Sequence, residues 1–452
     1  MGKHSPIVWA VGLVLWTMAQ EAAPVRADWR TEADARIEKI RKGDFVVRLI
    51  DPDGKPLGNL DVTVRQTRSH FGFGTAVDSN FMADDPDTRR YRQFILDHFS
   101  MLTAENAMKW WDIEKEKDVV DFGPADALAK FARDNDLPLR GHCVLWCKGK
   151  WVREWKHALT PEQLQTELDQ HLDALIPRYR GKVICWDVCN EILDGTFYRE
   201  RLGPDIYARV FKRVAELDPD AVLFTNEYSI LTIPPRVEEY VRLIKSLQEA
   251  GAPVRGIGVQ DHGVQRFSVD DEPPATQPWQ GFRRRWGPPP QPRLGPREIL
   301  ASLDRLGELN LPIHITEVSS ITPDEELRAR TLEMFLRVCF SHPKVECFIF
   351  WGFWSKNHFK QNLAALVDDN WNYTPAGKVV FKMLDEEWRT NLRGRTDGQG
   401  QVAFRGFFGR YELTAADDAG RTLTGTVKLI PTSGTATVTL RPAPPSTQPS
   451  NP

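Results

Sequence analysis

Short apolar runs alternate with longer amphipathic stretches through the middle of the chain. A helix-sized interval separates each run from the next, and Thr160-Pro161-Glu162 and Thr322-Pro323-Asp324-Glu325 are typical of helix starts. The apolar runs lie near residues 70–77, 100–104, 139–146, 183–190, 221–226, 256–261, 312–317 and 345–352. Eight strands that alternate with helices predict an α/β fold, a parallel (β/α)8 TIM barrel with an outer ring of helices.

The two ends of the chain show the period-two alternation of antiparallel strands instead. A helix over 32–41 precedes a hairpin predicted from 43–50, the turn Asp51-Pro52-Asp53-Gly54 and 60–64. C-terminal strands are predicted at 401–404, 410–414, 424–429 and 436–440. A lone hairpin is unstable in water and needs partners. Together the ends resemble a carboxypeptidase-regulatory-like β-sandwich that is split by the central domain; two unrelated β-appendages are the alternative.

The first 27 residues are typical of a secretory signal. Lys3 and His4 precede an apolar core over 7–19, and Val25-Arg26-Ala27 offers a cleavage site. We therefore expect a secreted or periplasmic protein that is monomeric and has no membrane segment once the signal is removed. The predicted units are the signal 1–27, an N-terminal helix and hairpin 28–66, the barrel 67–390, C-terminal strands 391–441 and a disordered tail 442–452.

Export would permit disulfides among the six cysteines, and Cys339 with Cys347 is the pair that we expect to bridge first. The other four are expected to be buried thiols. A Pro- and Arg-rich stretch over 268–296 follows the sixth strand. It is predicted either to roof the cleft of the barrel or to be a featureless insertion.

Composition excludes several classes of partner and cofactor. The 452 residues are 41% hydrophobic and 27% charged, with a net charge of −3, which does not indicate nucleic-acid or polyanion binding. The cysteines and histidines lack the spacing of a metal site. Neither a Gly-x-Ser-x-Gly elbow nor a Gly-rich loop after a strand occurs. We therefore expect no metal and no cofactor.

Two of the predicted strands end in a glutamate. Val183-Ile184-Cys185-Trp186 leads to Glu191, and the strand over 312–317 ends in Glu317. The carboxyl ends of barrel strands converge at one mouth, so both carboxylates are expected there. A single strand-end glutamate is more often a solvated residue. The pair in this setting predicts two carboxylates that act on one glycosidic bond.

The central domain, about residues 70–390, contains several motifs in the order Thr103–Trp110 (TAENAMKW), Arg140–Trp146 (RGHCVLW), Trp186–Glu191 (WDVCNE), Gly256–His262 (GIGVQDH), Ile315–Glu317 (ITE) and Trp351-Gly352. In these motifs and their order the domain resembles glycoside hydrolase family 10. This family contains the retaining endo-β-1,4-xylanases. The resemblance implies that Glu191 is the acid/base and Glu317 the nucleophile. It implies a polysaccharide partner, xylan or a related β-1,4-glycan, contacted by Glu105, Asn106, Lys109, His142, Trp146, Asn190, Gln260, His262, Trp351 and Phe359.

Four positions differ from the pattern of the family. Cys147-Lys148-Gly149 stands where His-Ser-Gln is common, and Ser319 stands where an aspartate usually pairs with the sixth-strand histidine, here His262. Phe359 replaces a usual tryptophan, and Cys189 a usual valine. Both glutamates remain, so we interpret the first three changes as a shift in substrate preference or rate. The alternatives are a glycanase of the same mechanism with another polysaccharide and a catalytically weak carbohydrate-binding protein.

Overall fold

The computed structural model describes residues 28–233, 235–269, 293–417 and 419–443. The predicted signal, most of the 268–296 stretch and the tail from residue 444 lie outside the described residues. The strands are β1 Lys42–Ile50, β2 Asp61–Ser69, β3 Gly72–Val77, β4 Met101–Ala104, β5 Leu139–Trp146, β6 Cys185–Asn190, β7 Val222–Tyr228, β8 Gly256–Asp261, β9 Ile313–Val318, β10 Val345–Phe350, β11 Asn391–Arg395, β12 Gln401–Phe407, β13 Gly409–Ala416, β14 Thr422–Leu429, β15 Thr435–Thr439 and β16 Arg441–Pro442.

The helices of the described residues surround the barrel or precede the first strand. They are α1 Trp29–Arg41, α2 Pro86–His98, α3 Trp110–Ile113, α4 Gly123–Asp134, α5 Glu154–His157, α6 Pro161–Tyr179, α7 Phe197–Leu202, α8 Ile206–Leu217, α9 Pro235–Glu249, α10 Pro296–Gly307, α11 Glu325–Phe340 and α12 Pro375–Lys382. None of the helices in the described ranges has both the length and the apolar character needed to cross a bilayer.

Eight parallel strands close the predicted barrel in the order β10-β3-β4-β5-β6-β7-β8-β9. Every residue of β6, β8 and β9 is buried, because helices cover the outer face while side chains fill the interior. Helix α6 begins where predicted, with Thr160 and Gln163 forming a reciprocal cap. Helix α11 begins two residues later than predicted, because the Asp324 side chain rather than Thr322 accepts the capping bond from the Leu327 N–H.

The chain ends form two sheets that pack face to face. One sheet has the order β12-β1-β15 and the other β11-β2-β13-β14-β16, so each contains an N-terminal strand among C-terminal strands. Buried side chains from both sheets share one hydrophobic cluster, including Phe45 and Val47 of β1, Val64 of β2 and Leu413 of β13. The structure therefore confirms a small β-sandwich built from both ends of the chain.

The predicted N-terminal hairpin is wrong, since β1 and β2 do not pair with each other. Strand β1 pairs with β12 and β15, and β2 pairs with β11 and β13. The segment 51–60 carries the chain from one sheet to the other, so the apolar faces of β1 and β2 are buried in the shared core. Pro442, which was predicted to belong to the disordered tail, instead belongs to β16 and pairs with Leu423.

The predicted Cys339–Cys347 disulfide is also wrong, because all six cysteines are buried free thiols. Side chains alternate between the two faces of a strand. Cys347 packs with Met101 and Ile349 in one cluster. Cys339 of α11 belongs instead to the main core, together with Phe348 and Phe350 from the opposite face of β10. The strand itself therefore separates the two sulfur atoms.

Candidate active site at the barrel mouth

Glu191 and Glu317 both lie at the carboxyl ends of barrel strands, with 9% and 5% of their surface exposed. Glu191 follows β6 with φ 62°, a conformation that few residues other than glycine adopt. Its N–H donates to the Asn226 carbonyl at 2.8 Å. Glu317 lies within β9, beside Gln260 of β8 in the strand register. The barrel thus directs two carboxylates from different strands into one mouth.

Two asparagines join the glutamates through side-chain hydrogen bonds. Asn226 Nδ2 donates to Glu317 Oε1 at 2.9 Å and to Asn190 Oδ1 at 2.8 Å. Asn190 Nδ2 in turn lies 3.4 Å from Glu191 Oε1. Gln260 lies beside Glu317 in the strand register, as expected, and its amide donates to Asn190 Oδ1 at 2.9 Å. Gln260 therefore orients the asparagine between the two acids.

Histidines surround the Glu317 carboxylate. His262 Nε2 lies 3.2 Å from Oε2, and His142 Nε2 lies 3.8 Å from Oε1. His142 Nδ1 is 2.9 Å from Asp187 Oδ2, and this aspartate is also bound by the Arg140 guanidinium. The fully buried Asp187 thereby fixes the His142 ring so that its other nitrogen faces Glu317.

The two glutamates differ in the direction of their pKa shifts. Burial raises the pKa of Glu191, and the nearby Glu317 charge raises it further. Burial also acts to raise the pKa of Glu317, but the His262 hydrogen bond and the charges of His142, His262 and Lys109 outweigh it and lower that pKa. These opposite shifts favour the carboxylate at Glu317 and the protonated form at Glu191, so Glu317 loses its proton at a lower pH than Glu191 does.

Lys109, Trp146 and Trp351 form a cationic and aromatic wall beside the acids. The Lys109 ammonium donates to Asn106 Oδ1 at 3.0 Å and lies 4.4 Å and 5.6 Å from the ring centres of Trp146 and Trp351. Burial raises the pKa of Glu105 to about 7, although the Lys109 charge acts against this rise. These side chains form a surface with apolar ring faces and charged edges, as a sugar ring requires.

The positions that differ from the family pattern lie around the same mouth. Ser319 Oγ is 3.2 Å from His262 Nδ1, so a hydroxyl rather than a carboxylate contacts this ring nitrogen. Phe359 is 47% exposed, and its ring lies 5.5 Å from the His262 ring, which places it at the rim. The Lys148 ammonium lies 3.7 Å from Glu191 Oε2. The third-strand departure thus adds a cation to the site.

Four side chains of this site had no assigned role in the sequence analysis: Asp187, Asn226, Glu227 and Lys148. A sequence signal existed for Asn226 and Glu227, because Thr225-Asn226-Glu227 parallels Cys189-Asn190-Glu191 and the register pairs Asn226 with Asn190. Glu227 Oε1 accepts the N–H groups of Ile192 and Leu193 at 2.5 and 3.0 Å, which shapes the loop after Glu191.

A possible metal site among the described residues lies away from the two glutamates and consists of Glu114, Asp118 and Glu167. Two of its three carboxylates are already engaged. Glu114 accepts the Trp110 indole N–H at 2.7 Å, and Lys117 Nζ lies 3.4 Å from Glu167. We therefore assign no metal to this group.

Comparison with known proteins identifies the family. The model of glycosyl hydrolase family 10 matches residues 63–383, which include all eight barrel strands and both glutamates. The chain belongs to glycosyl hydrolase family 10. Among solved family 10 structures, xylanase 10B from Thermotoga maritima superposes with a TM-score of 0.59 at 28% identity, covering 70% of this chain and 96% of that one.

Two curated relatives are longer than this chain. Anti-sigma-I factor RsgI6 of Acetivibrio thermocellus is 36% identical over 414 residues, which are 91% of this chain and 50% of that protein. Endo-1,4-beta-xylanase 1 of Arabidopsis thaliana is 33% identical over 379 residues, 83% of this chain and 36% of that protein. The chain therefore spans about a third to a half of these relatives.

Proposed function

We propose that this protein is an exported, monomeric endo-β-1,4-xylanase that hydrolyses xylan with retention of anomeric configuration. The observation that carries the proposal is the pair of buried carboxylates at one barrel mouth, joined through Asn190 and Asn226 and shifted in opposite pKa directions. The names of the Arabidopsis and Thermotoga relatives, which are xylanases, support this choice of substrate.

In the first step, a Glu317 oxygen attacks the anomeric carbon while the glycosidic C–O bond breaks. Glu191 donates its proton to the departing oxygen, so the leaving sugar is released as an alcohol. Asn226 and His262 hold the Glu317 carboxylate in place for this attack. Trp351 provides an apolar platform for the reacting ring, and Lys109 and Asn106 supply polar groups beside it.

In the second step, Glu191 acts as a base. Esterification removes the negative charge of Glu317, which is one of the causes of the raised pKa of Glu191. The Glu191 carboxylate then accepts a proton from water, the water oxygen bonds to the anomeric carbon, and the bond to Glu317 breaks. Both side chains return to their starting protonation states.

Hydrolysis of xylan by the wild type, Glu191→Gln and Glu317→Gln tests this assignment. We expect each substitution to reduce kcat/KM by on the order of 10²–10⁴-fold or more, because each removes a group that forms or breaks a bond. The first product, followed by NMR, should be the β-anomer. An α-anomer, or two variants that hydrolyse xylan as fast as the wild type, would contradict the mechanism.

A carbohydrate-binding protein with weak or no hydrolysis is the second candidate. It is favoured by the similarity to RsgI6, whose name is that of an anti-sigma factor rather than of an enzyme. A wild type that binds xylo-oligosaccharides without cleaving them would select this candidate. A panel of β-1,4-glucans and decorated xylans tests the polysaccharide, and cell fractionation and light scattering test export and the monomeric state.

A further inference from the structure

Lys148 brings a positive charge to Glu191 from the loop that follows β5. Its ammonium lies 3.7 Å from Glu191 Oε2. Within the part of the chain that the structure describes, no other carboxylate approaches this ammonium within 4.0 Å. The Lys148 side chain is 21% exposed, more than the 12% of Glu191, and bulk water therefore partly screens its charge.

Tyr228 fixes the position of this ammonium. Lys148 Nζ donates to the Tyr228 hydroxyl at 2.8 Å, and that hydroxyl donates its own proton to Asp194. The Arg236 guanidinium lies 3.0 Å from Asp194 and offsets its negative charge. The remaining N–H groups of Lys148 are therefore free to face Glu191.

The main chain holds Lys148 and Glu191 in a fixed relation. The Cys147 N–H donates to the Asn190 carbonyl at 2.9 Å, which links the residue before Lys148 to the residue before Glu191. Gly195 packs between the two loops so closely that a Cβ there would lie 2.3 Å from the Glu191 carbonyl oxygen and 2.6 Å from the Cys147 carbonyl carbon. These backbone contacts fix the distance between the main chains of Lys148 and Glu191, from which the two charged side chains extend towards each other.

The charged groups that face Glu191 come from several elements. Burial and Glu317 of β9 act to raise its pKa, whereas Lys148 of the loop after β5 and His142 of β5 act to lower it. Behind the loop, Glu227 of β7 accepts two backbone N–H groups, and Asp194 is paired with Arg236. Lys148 is the lysine among these charged groups. It occupies a position at which the family commonly has an uncharged residue.

We propose that Lys148 is a positioning residue that holds its charge against Glu191 and sets the pH at which Glu191 changes from proton donor to proton acceptor. The inference rests on the proposed function, in which Glu191 is the acid/base. The ammonium favours the Glu191 carboxylate. It therefore assists proton release in the first step, opposes proton uptake from water in the second, and limits acid catalysis at high pH.

The pH profile of kcat/KM on xylotetraose for Lys148→Met tests the proposal. Methionine keeps the apolar stem and removes the charge, so the basic limb, which reports the proton of Glu191, should move up by about one pH unit. Lys148→Arg should keep the limb of the wild type. Lys150→Met, which removes an exposed charge from the same loop, should also leave the limb unchanged.

A substrate with a dinitrophenyl leaving group provides a second reading. This group departs without a proton, so the basic limb due to Glu191, and with it the effect of Lys148→Met, should disappear from kcat/KM. A shift of equal size on both substrates would mean that Lys148 acts through another group and would overturn the proposal.

An NMR titration of the Glu191 carboxyl carbon does not require turnover. If the wild type fails to hydrolyse xylan, the proposed function fails, but the Glu191 titration midpoint should still be higher in Lys148→Met than in the wild type. An equal or lower midpoint would overturn the role of Lys148 alone. Lys148→Gln replaces the methionine variant if the latter does not fold.

Discussion

Buried carboxylates at the barrel mouth differ in the groups that compensate their negative charge. Glu317 receives a side-chain amide and two histidines, and Glu191 receives the Lys148 ammonium. Glu227 has neutral donors, two backbone N–H groups, and its Oε2 atom is buried without a hydrogen-bond partner in the described residues. Burial therefore raises the pKa of Glu227 to about 8, with the Glu191 charge acting in the same direction.

Glu227→Gln should increase stability at alkaline pH. The raised pKa means that the folded protein holds a proton that the unfolded chain releases above about pH 4.3. The stability of the wild type therefore falls as the pH rises from there to about 8. Glutamine mimics the protonated side chain and removes this loss, so the variant should gain on the order of 3–4 kcal/mol relative to the wild type between pH 5 and pH 8.

Urea unfolding across this pH range measures the difference. Glu249→Gln, which replaces an exposed glutamate, is the control and should differ from the wild type by a constant amount. A Glu227→Gln curve that runs parallel to the wild type at every pH would show that Glu227 is ionised in the folded protein.

The sequence was sufficient to place Glu191 and Glu317 at the barrel mouth, because each ends an apolar run and each belongs to a motif. Their electrostatic surroundings were harder to predict. Lys148 contacts Glu191 across two loops, and Asp187 acts through the His142 ring. Such contacts depend on the register between neighbouring strands and on loop conformation, which a linear pattern does not contain. The loss of a carboxylate beside His262 was visible in the sequence; the hydroxyl contact from Ser319 was not.

At the level of structural elements, the geometry of the loop after β6 determines the position of the Glu191 carboxyl group. It begins with the positive φ of Glu191, and Glu227 binds its first two N–H groups. Gly195 then lets the loop pack against Cys147, where a side chain would overlap main-chain atoms. The position of the Glu191 carboxyl is therefore decided by close backbone contacts several residues away.

Gly195→Ala should displace this loop. The added Cβ would lie 2.3 Å from the Glu191 carbonyl oxygen, so the main chain must shift. We expect a loss of about 1–3 kcal/mol in unfolding free energy, typical of overpacking, and a fall in kcat on the order of 100-fold from misplacement of the acid. Gly434→Ala is the control, because a Cβ there meets no atom within 4 Å. Equal kcat values for the two variants would exclude this role for Gly195.

The secondary structure was predicted most accurately for the barrel strands, because their apolar runs indicate buried parallel strands. The eight barrel strands agree with the predicted runs to within about two residues at most ends, since parallel strands buried on both faces are almost wholly apolar. The prediction of the N-terminal hairpin was wrong for a different reason. Alternation and a turn indicate that two strands exist and which faces are apolar, but they do not identify the partner of each strand. The prediction of the disulfide was wrong because the spacing of two cysteines in the sequence does not show on which face of a strand each one lies.

For the molecule as a whole, the sandwich and the barrel are joined through α1 and the strands that follow it. Arg41 at the end of α1 donates to the carbonyls of Phe340, His342 and Val345 at 2.7–2.8 Å, where α11 leads into β10. Strand β2 then continues through Ser69 into β3, the first strand of the barrel. The sandwich is thus attached to the barrel face opposite the glutamates.

A chain that ends at Arg389 should be unstable or insoluble. It lacks β11 to β16, so the apolar faces of β1 and β2, including Phe45, Val47 and Val64, lose their partners. If soluble, we expect it to melt at least about 5 °C below the full chain. A chain that ends at Ala443 keeps β1 to β16 and is the control. Equal melting temperatures for the two truncated chains would show that the N-terminal strands are stable without the C-terminal ones.

The pairing of β2 with β13 has a consequence for synthesis on the ribosome. Ser69 contacts Gly409 in the finished sheet, although the whole barrel is translated between them. At roughly 5–20 residues per second, this interval lasts about 20–70 s. During that time the apolar faces of β1 and β2 remain uncovered, and chaperones or other nascent chains can bind to them. The sandwich can therefore form only after the ribosome has synthesised the C-terminal strands.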